Sequence, residues 1–285
     1  IEQLENVIYT KKFFFILNKA RLSINVDYSN IYIEKIDSNI KNNDYKLFVK
    51  IAYKIMCKIL PIKTNLLFFQ SFGGRSYSGN PKYMYEYIKD DSSYKCVWGL
   101  RNQFEYVPGK AKKVKVDSLM YYYYLARAEY IISNLNMQTH IKKREKAKFI
   151  QTWHGTPLKR ISFDVPKNSP GYDKKFLKGF AKRVKKWDGL LAQNKSSIEK
   201  FKSAFRYEGP IYETGHPLND ILVENSNEKI KSIKEKLKID KNKKVILYAP
   251  TWRENSRFVL DLDIDKLRYK LNDDYVLLIK THYFV

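Results

Sequence analysis

The chain has 285 residues, 44% of them hydrophobic, enough for one large or two modest domains with a real core. Its net charge of +24 comes from 54 Lys and Arg, only 11 of them Arg, and a lysine-rich excess suits diffuse attraction to an anionic surface better than the bidentate arginine contacts that read bases. The two distant cysteines and four scattered histidines fit no structural zinc spacing, no apolar run is long enough to span a membrane, and no signal peptide is evident, so Cys57 and Cys96 are expected as free, buried thiols in a reducing compartment.

In chain order, the first clear element is a helix over Tyr45–Leu60, stopped by Pro61. Lys46, Lys50, Lys54 and Lys58 recur every four residues and form one slowly drifting stripe, while Leu47, Phe48, Ile51, Ile55, Ile59 and Leu60 cover most of the remaining surface. Two readings fit: a basic amphipathic helix lying in a membrane interface, or a helix packed on the domain with its lysines in water. Residues 1–63 are expected to form an N-terminal segment carrying this helix.

From Asn65 the pattern alternates between strands and helices. Leu66–Phe69 reads as a buried strand leading into the loop Ser71–Asn80, with Pro81 opening a helix and Asn80 as its N-cap. Strands follow near Lys95–Trp98, Lys112–Val116, Tyr130–Ser133, Lys148–Thr152, Gly189–Ala192 and Ile211–Glu213, with helices at Ser118–Ala128 and Ser196–Phe205. The run Tyr121–Tyr124 reads as helix packing with a wet edge and no chemistry. This alternation predicts a mostly parallel sheet covered by helices on both faces, spanning 64–223.

Tyr172–Trp187 reads as a second basic helix, with Lys174, Lys175, Lys178 and Lys182 on its polar side. Glu224–Lys229 reads as a linker. It opens a region 224–285 with a helix at Lys229–Leu237, a strand at Val245–Tyr248, a helix near Asp265–Leu271 and a strand at Tyr275–Ile279. Two strands do not complete a nucleotide-binding domain, so this second domain is expected to be incomplete.

Polar motifs stand at the ends of several predicted strands. Gln151–Lys159 reads Q-T-W-H-G-T-P-L-K and puts His154, the side chain that titrates nearest neutrality, directly before a glycine. The others are S-F-G-G-R-S-Y-S-G-N-P-K (Ser71–Lys82), T-G-H-P-L-N-D (Thr214–Asp220), Y-A-P-T-W-R (Tyr248–Arg253) and K-T-H (Lys280–His282). Asp164, Asp188 and Asp220 are expected as caps and sheet-edge residues rather than metal ligands, and the pattern does not settle whether a metal is required.

Taken in chain order, from about Tyr45 to the end of the chain, these five motifs resemble the CDP-glycerol glycerophosphotransferase family, whose members build teichoic acid and related polyol-phosphate polymers in Gram-positive bacteria. The resemblance implies an α/β, GT-B-like architecture of two Rossmann-like domains facing a cleft. It implies transfer of a polyol phosphate from CDP-glycerol, or alternatively CDP-ribitol, to a hydroxyl of an undecaprenyl-linked or other lipid-linked acceptor, with release of CMP. Such a protein would be peripheral on the cytoplasmic face of the membrane, with Lys46, Lys50, Lys54, Lys58, Lys174, Lys175, Lys178 and Lys182 as candidate acceptor or membrane contacts.

Two family histidines map onto His154 and His282. His154 would be general base to the acceptor hydroxyl, and His282, Arg253 and Thr251 would hold the donor pyrophosphate, with Thr156 and the N–H groups around Gly155 positioning phosphate. His216, Asn219 and Asp220 would support these contacts from behind. One departure stands out: the family's usual G-Y-P-R-N-D appears here with His216 and Leu218, so an expected arginine is missing. The alternative of another class is a non-catalytic basic module bound to membrane or nucleic acid; no recognised nucleic-acid motif appears, and no nucleic-acid partner is expected.

Overall fold

The computed structural model describes residues 11–17, 20–26, 31–35, 42–224, 226–250, 262–271 and 273–280. It divides into two compact units, Ile1–Asp220 and Ile221–Val285. The first opens with an antiparallel meander, β1 (Lys11–Leu17), β2 (Ala20–Val26) and β3 (Ile31–Lys35), where the sequence suggested no element.

The elements that follow are α1 (Asn42–Ile59), β4 (Lys63–Gln70), α2 (Gly79–Ile88), β5 (Lys95–Leu100), β6 (Lys112–Lys115), α3 (Leu119–Arg127) and β7 (Ala128–Ser133). After them come β8 (Lys148–Gln151), α4 (Lys174–Val184), β9 (Gly189–Ala192), α5 (Lys195–Phe205), β10 (Ile211–Glu213) and the short α6 (Asp220–Val223). The seven strands β4–β10 form one parallel sheet in the order β10-β9-β8-β7-β4-β5-β6. The chain builds outward from β4 in one direction and then, from β7, in the other. The switch point therefore lies between β4 and β7, and open α/β sheets bind ligands outside the carboxyl ends of the strands there.

Helix α1 belongs to the core of this sheet domain. Phe48, Val49, Ala52, Tyr53, Met56 and Leu60 are buried, and α1 packs against α3. Lys46, Lys54 and Lys58 remain exposed and Lys50 partly so, but so do Leu47, at 51%, and Ile59. The segment 1–63 thus supplies a helix to the sheet domain, and what faces water on α1 is a lysine stripe bordered by a few apolar residues. Within α3, Tyr121 and Tyr122 are buried, Tyr121 hydrogen-bonding Gln70, so the tyrosine run is packing.

Arg144 ties α1 and α3 together at their C-termini. Its guanidinium donates to the carbonyls of Leu60 (2.6 Å) and Ala126 (2.8 Å), which follow or end those helices and lack a following turn to pair with.

The second unit contains α7 (Asn227–Lys236), β11 (Lys244–Tyr248), α8 (Ile264–Leu271) and β12 (Tyr275–Ile279), with β11 and β12 paired in parallel. Ser226 caps α7 by accepting from the Lys229 N–H, so the expected linker already turns helical at Asn227.

Replacing Arg144 by Met keeps the stem and removes two charge-assisted bonds to helix-end carbonyls. The first unit should lose about 2–3 kcal/mol in urea unfolding; a loss below about 0.5 kcal/mol would show that water caps these ends equally well.

Candidate functional site

Three strand-end loops meet at the carboxyl edge of the sheet. The loop after β4 turns through Phe72 (φ 46°), Gly73 and Gly74. Gly74 is required there, because a Cβ would come within 2.4 Å of Val116 and 2.9 Å of the Gly99 carbonyl. Arg101 fastens the turn, its backbone N–H donating to the Gly74 carbonyl (2.7 Å) and its Nε to the Gly73 carbonyl (3.0 Å). Buried Asn134, just after β7, accepts the Phe72 N–H at 2.8 Å.

Strand β8 continues one residue past its last pair, with the Thr152 N–H donating to the Ser133 carbonyl, and then breaks at Trp153. Trp153 adopts φ 51°, a left-handed conformation that costs a residue with a side chain about 1–2 kcal/mol. Its indole offsets that cost by packing on Phe205 (4.5 Å between ring centroids) and Phe201 (6.0 Å) of α5. The reversal lifts His154 to the surface, where its ring stacks on Trp153 at 4.4 Å and 22°, with Phe72 at 6.3 Å.

The pKa of His154 lies below the ordinary imidazole value of 6.5, chiefly because the surrounding protein takes water from its ring. A lowered pKa keeps the imidazole neutral and able to accept a proton at neutral pH. Beyond it, a Cβ on Gly155 would meet nothing within 4 Å, so the backbone there is open to approach. Thr156 is exposed and its hydroxyl contacts the Gln193 side chain.

The third loop follows β10. His216 was expected to support the site from behind, and it is buried, at 6% exposure, with its pKa lowered by loss of water. Asn219 and Asp220 instead face solvent, and Leu218, in place of the expected arginine, is half-buried. Asn80 joins this loop to the other two. Its helix α2 starts two residues earlier than expected, at Gly79, which leaves Ser78 in the cap position and turns the Asn80 side chain inward. The sequence reading of Asn80 as an N-cap is therefore corrected.

Asp188 and Asp164 are committed to structural bonds, while Asp220 begins the short α6. Asp188 accepts from Lys143 Nζ (2.8 and 2.9 Å) and from the Phe149 N–H, and Asp164 accepts from Ser203 Oγ. Among the described residues no group of three or more His, Cys, Asp or Glu is placed to hold a metal ion. On α4, capped by Asp173, Lys174, Lys175, Lys178 and Lys182 are all exposed beside Phe176 (47% exposed), while Leu177, Phe180 and Val184 face the core. The remaining expected site residues, Thr251, Arg253 and His282, lie outside the described residues.

Residues 51–285 match the family described as CDP-glycerol:poly(glycerophosphate) glycerophosphotransferase. The teichoic acid poly(glycerol phosphate) polymerase of Staphylococcus epidermidis is 40% identical over 79% of this chain and 33% of its own length. The teichoic acid glycerol-phosphate transferase of Staphylococcus aureus is 36% identical over 86% of this chain and 67% of its own. Among solved structures, the wall teichoic acid polymerase TagF superposes with a TM-score of 0.78 at 38% identity, covering 84% of this chain and 61% of that one. The chain thus spans between about a third and two thirds of the length of these relatives.

By NMR, the His154 ring should titrate with a midpoint below 6.5. A midpoint at or above 6.5 would mean that the crowding around the ring does not act as described.

Proposed function

The chain belongs to the CDP-glycerol:poly(glycerophosphate) glycerophosphotransferase family, and from that we propose that it supplies the acceptor-side machinery for transferring glycerol phosphate from CDP-glycerol to a hydroxyl of a lipid-linked acceptor in teichoic acid synthesis. The observation that carries this reading is His154: a surface imidazole biased toward its neutral form, raised by a strained turn at the carboxyl edge of a parallel sheet, next to backbone open to approach.

In the reaction, the acceptor hydroxyl attacks the glycerol-bearing phosphorus of CDP-glycerol. A new O–P bond forms, the pyrophosphate P–O bond breaks, and its electron pair leaves with CMP. The hydroxyl proton passes to neutral His154, a transfer that a positioned base makes faster by about 10²–10⁴-fold. Thr156 and the N–H groups around Gly155 would meet phosphoryl oxygens as charge shifts onto them. Arg253, His282 and Thr251 would hold the donor pyrophosphate. Glycerol rather than ribitol is supported by the glycerol phosphate in the names of both relatives above.

The exposed lysines of α1 and α4, each bordered by exposed apolar side chains, suit attachment to an anionic membrane surface. No helix among the described residues is long and apolar enough to cross a membrane.

In the full-length protein, His154→Ala should lower CMP release from CDP-glycerol by at least about a hundredfold while leaving donor binding within a few-fold; unchanged turnover would sink the assignment. Replacing Lys174, Lys175, Lys178 and Lys182 together by Ala should weaken cosedimentation with phosphatidylglycerol vesicles by about tenfold or more, given roughly 1 kcal/mol per basic residue at such a surface. Equal cosedimentation would remove α4 from the membrane contact.

A further inference from the structure

The side chain of Asn80 is completely buried, and from the end of its own loop its bonds reach two others that are far away in sequence. Its Nδ2 lies 2.9 Å from the Thr152 carbonyl, 3.1 Å from the Trp153 carbonyl and 3.2 Å from His216 Nδ1, and its Oδ1 accepts the Leu218 N–H at 3.2 Å. The first two contacts fall on the two peptide groups directly before His154, one of them belonging to the residue with the positive φ.

The same bonds fix the chemistry of His216. With Oδ1 facing an N–H and Nδ2 facing two carbonyls, the carboxamide has only one orientation, and its two Nδ2 hydrogens are shared among those carbonyls and His216 Nδ1. That ring nitrogen is the acceptor in this arrangement, which puts the proton of the neutral imidazole on Nε2, a buried atom with no hydrogen-bond partner among the described residues. Protonating Nδ1 as well would set a donor against a donor. Asn80 therefore disfavours a second positive charge beside His154, where one would compete with proton uptake by the base.

We infer that Asn80 is a positioning residue for the reaction: its carboxamide braces the Thr152–Trp153 turn from below and so sets where His154 presents its imidazole, with neutral His216 as the third point of the brace. The inference rests on the reading of His154 as general base. It reaches further because Asn80 touches no substrate and acts only through the turn.

The test is a double-mutant cycle in the full-length protein, following CMP release from CDP-glycerol and thermal melting. Asn80→Ala should lower kcat by about ten- to a hundredfold, the scale expected of a misplacement of about 1 Å, with the KM for CDP-glycerol within about twofold. Because Asn80 acts through His154, the Asn80→Ala/His154→Ala double variant should be no slower than His154→Ala alone. A folded Asn80→Ala with native kcat, or losses that multiply in the double variant, would overturn the inference. If Asn80→Ala does not melt cooperatively, Asn80→Ser, which can still donate to one carbonyl, is judged by the same two criteria. Should His154→Ala itself keep native turnover, the assignment of the base fails; should it collapse while the Asn80 variants stay fast, only the brace fails.

Discussion

The carboxyl edge of the sheet is held by one buried carboxamide. A parallel sheet delivers its strand ends to a common edge, but the loops that leave them have no ladder to keep them in register. Here the loops after β4, β8 and β10 are joined by the four contacts of Asn80, inside protein where each such bond is stronger than in water and costly to leave unmade. The left-handed turn at Trp153 persists because this brace and the packing of the indole on α5 over-determine it. What the turn produces is a single exposed imidazole with its proton-accepting form favoured.

How much of this was legible in the sequence follows from how local each feature is. His154 could be placed because an apolar strand, Phe149–Ile150, runs into a polar glycine turn within a few residues. The parallel sheet and the α/β, GT-B-like class were legible from strand–helix alternation and from the ordered motifs, and the similarity to TagF bears them out. Asn80 could not be found this way. Before a proline at a helix start, asparagine reads as a cap, and the partners that give it another role lie 72, 73, 136 and 138 positions away. His216 was noticed for departing from a motif, but only packing shows that it is buried and which nitrogen meets Asn80.

Helix α1 shows the same limit from another side. Its lysine spacing and apolar surface fitted both a membrane-lying helix and a packed one, because a helical wheel records which residues share a face and not what covers that face. The covering is supplied by α3, whose tyrosines come from more than 60 residues further on. The lysines left in water, with Leu47 and Ile59 beside them, keep the basic surface that the charge of +24 led one to expect. The β1–β3 meander escaped notice because antiparallel pairing between short strands depends on register, which composition alone does not fix.

The central claim is that His154 is the base that takes the proton of the attacking hydroxyl. The most direct measurement is a crystal structure of the full-length protein with CDP-glycerol and a glycerol-phosphate acceptor analogue. The account requires the acceptor hydroxyl within about 3 Å of an imidazole nitrogen of His154, in line with the donor phosphorus. An acceptor hydroxyl bonded to a different side chain, with His154 out of reach, would contradict it.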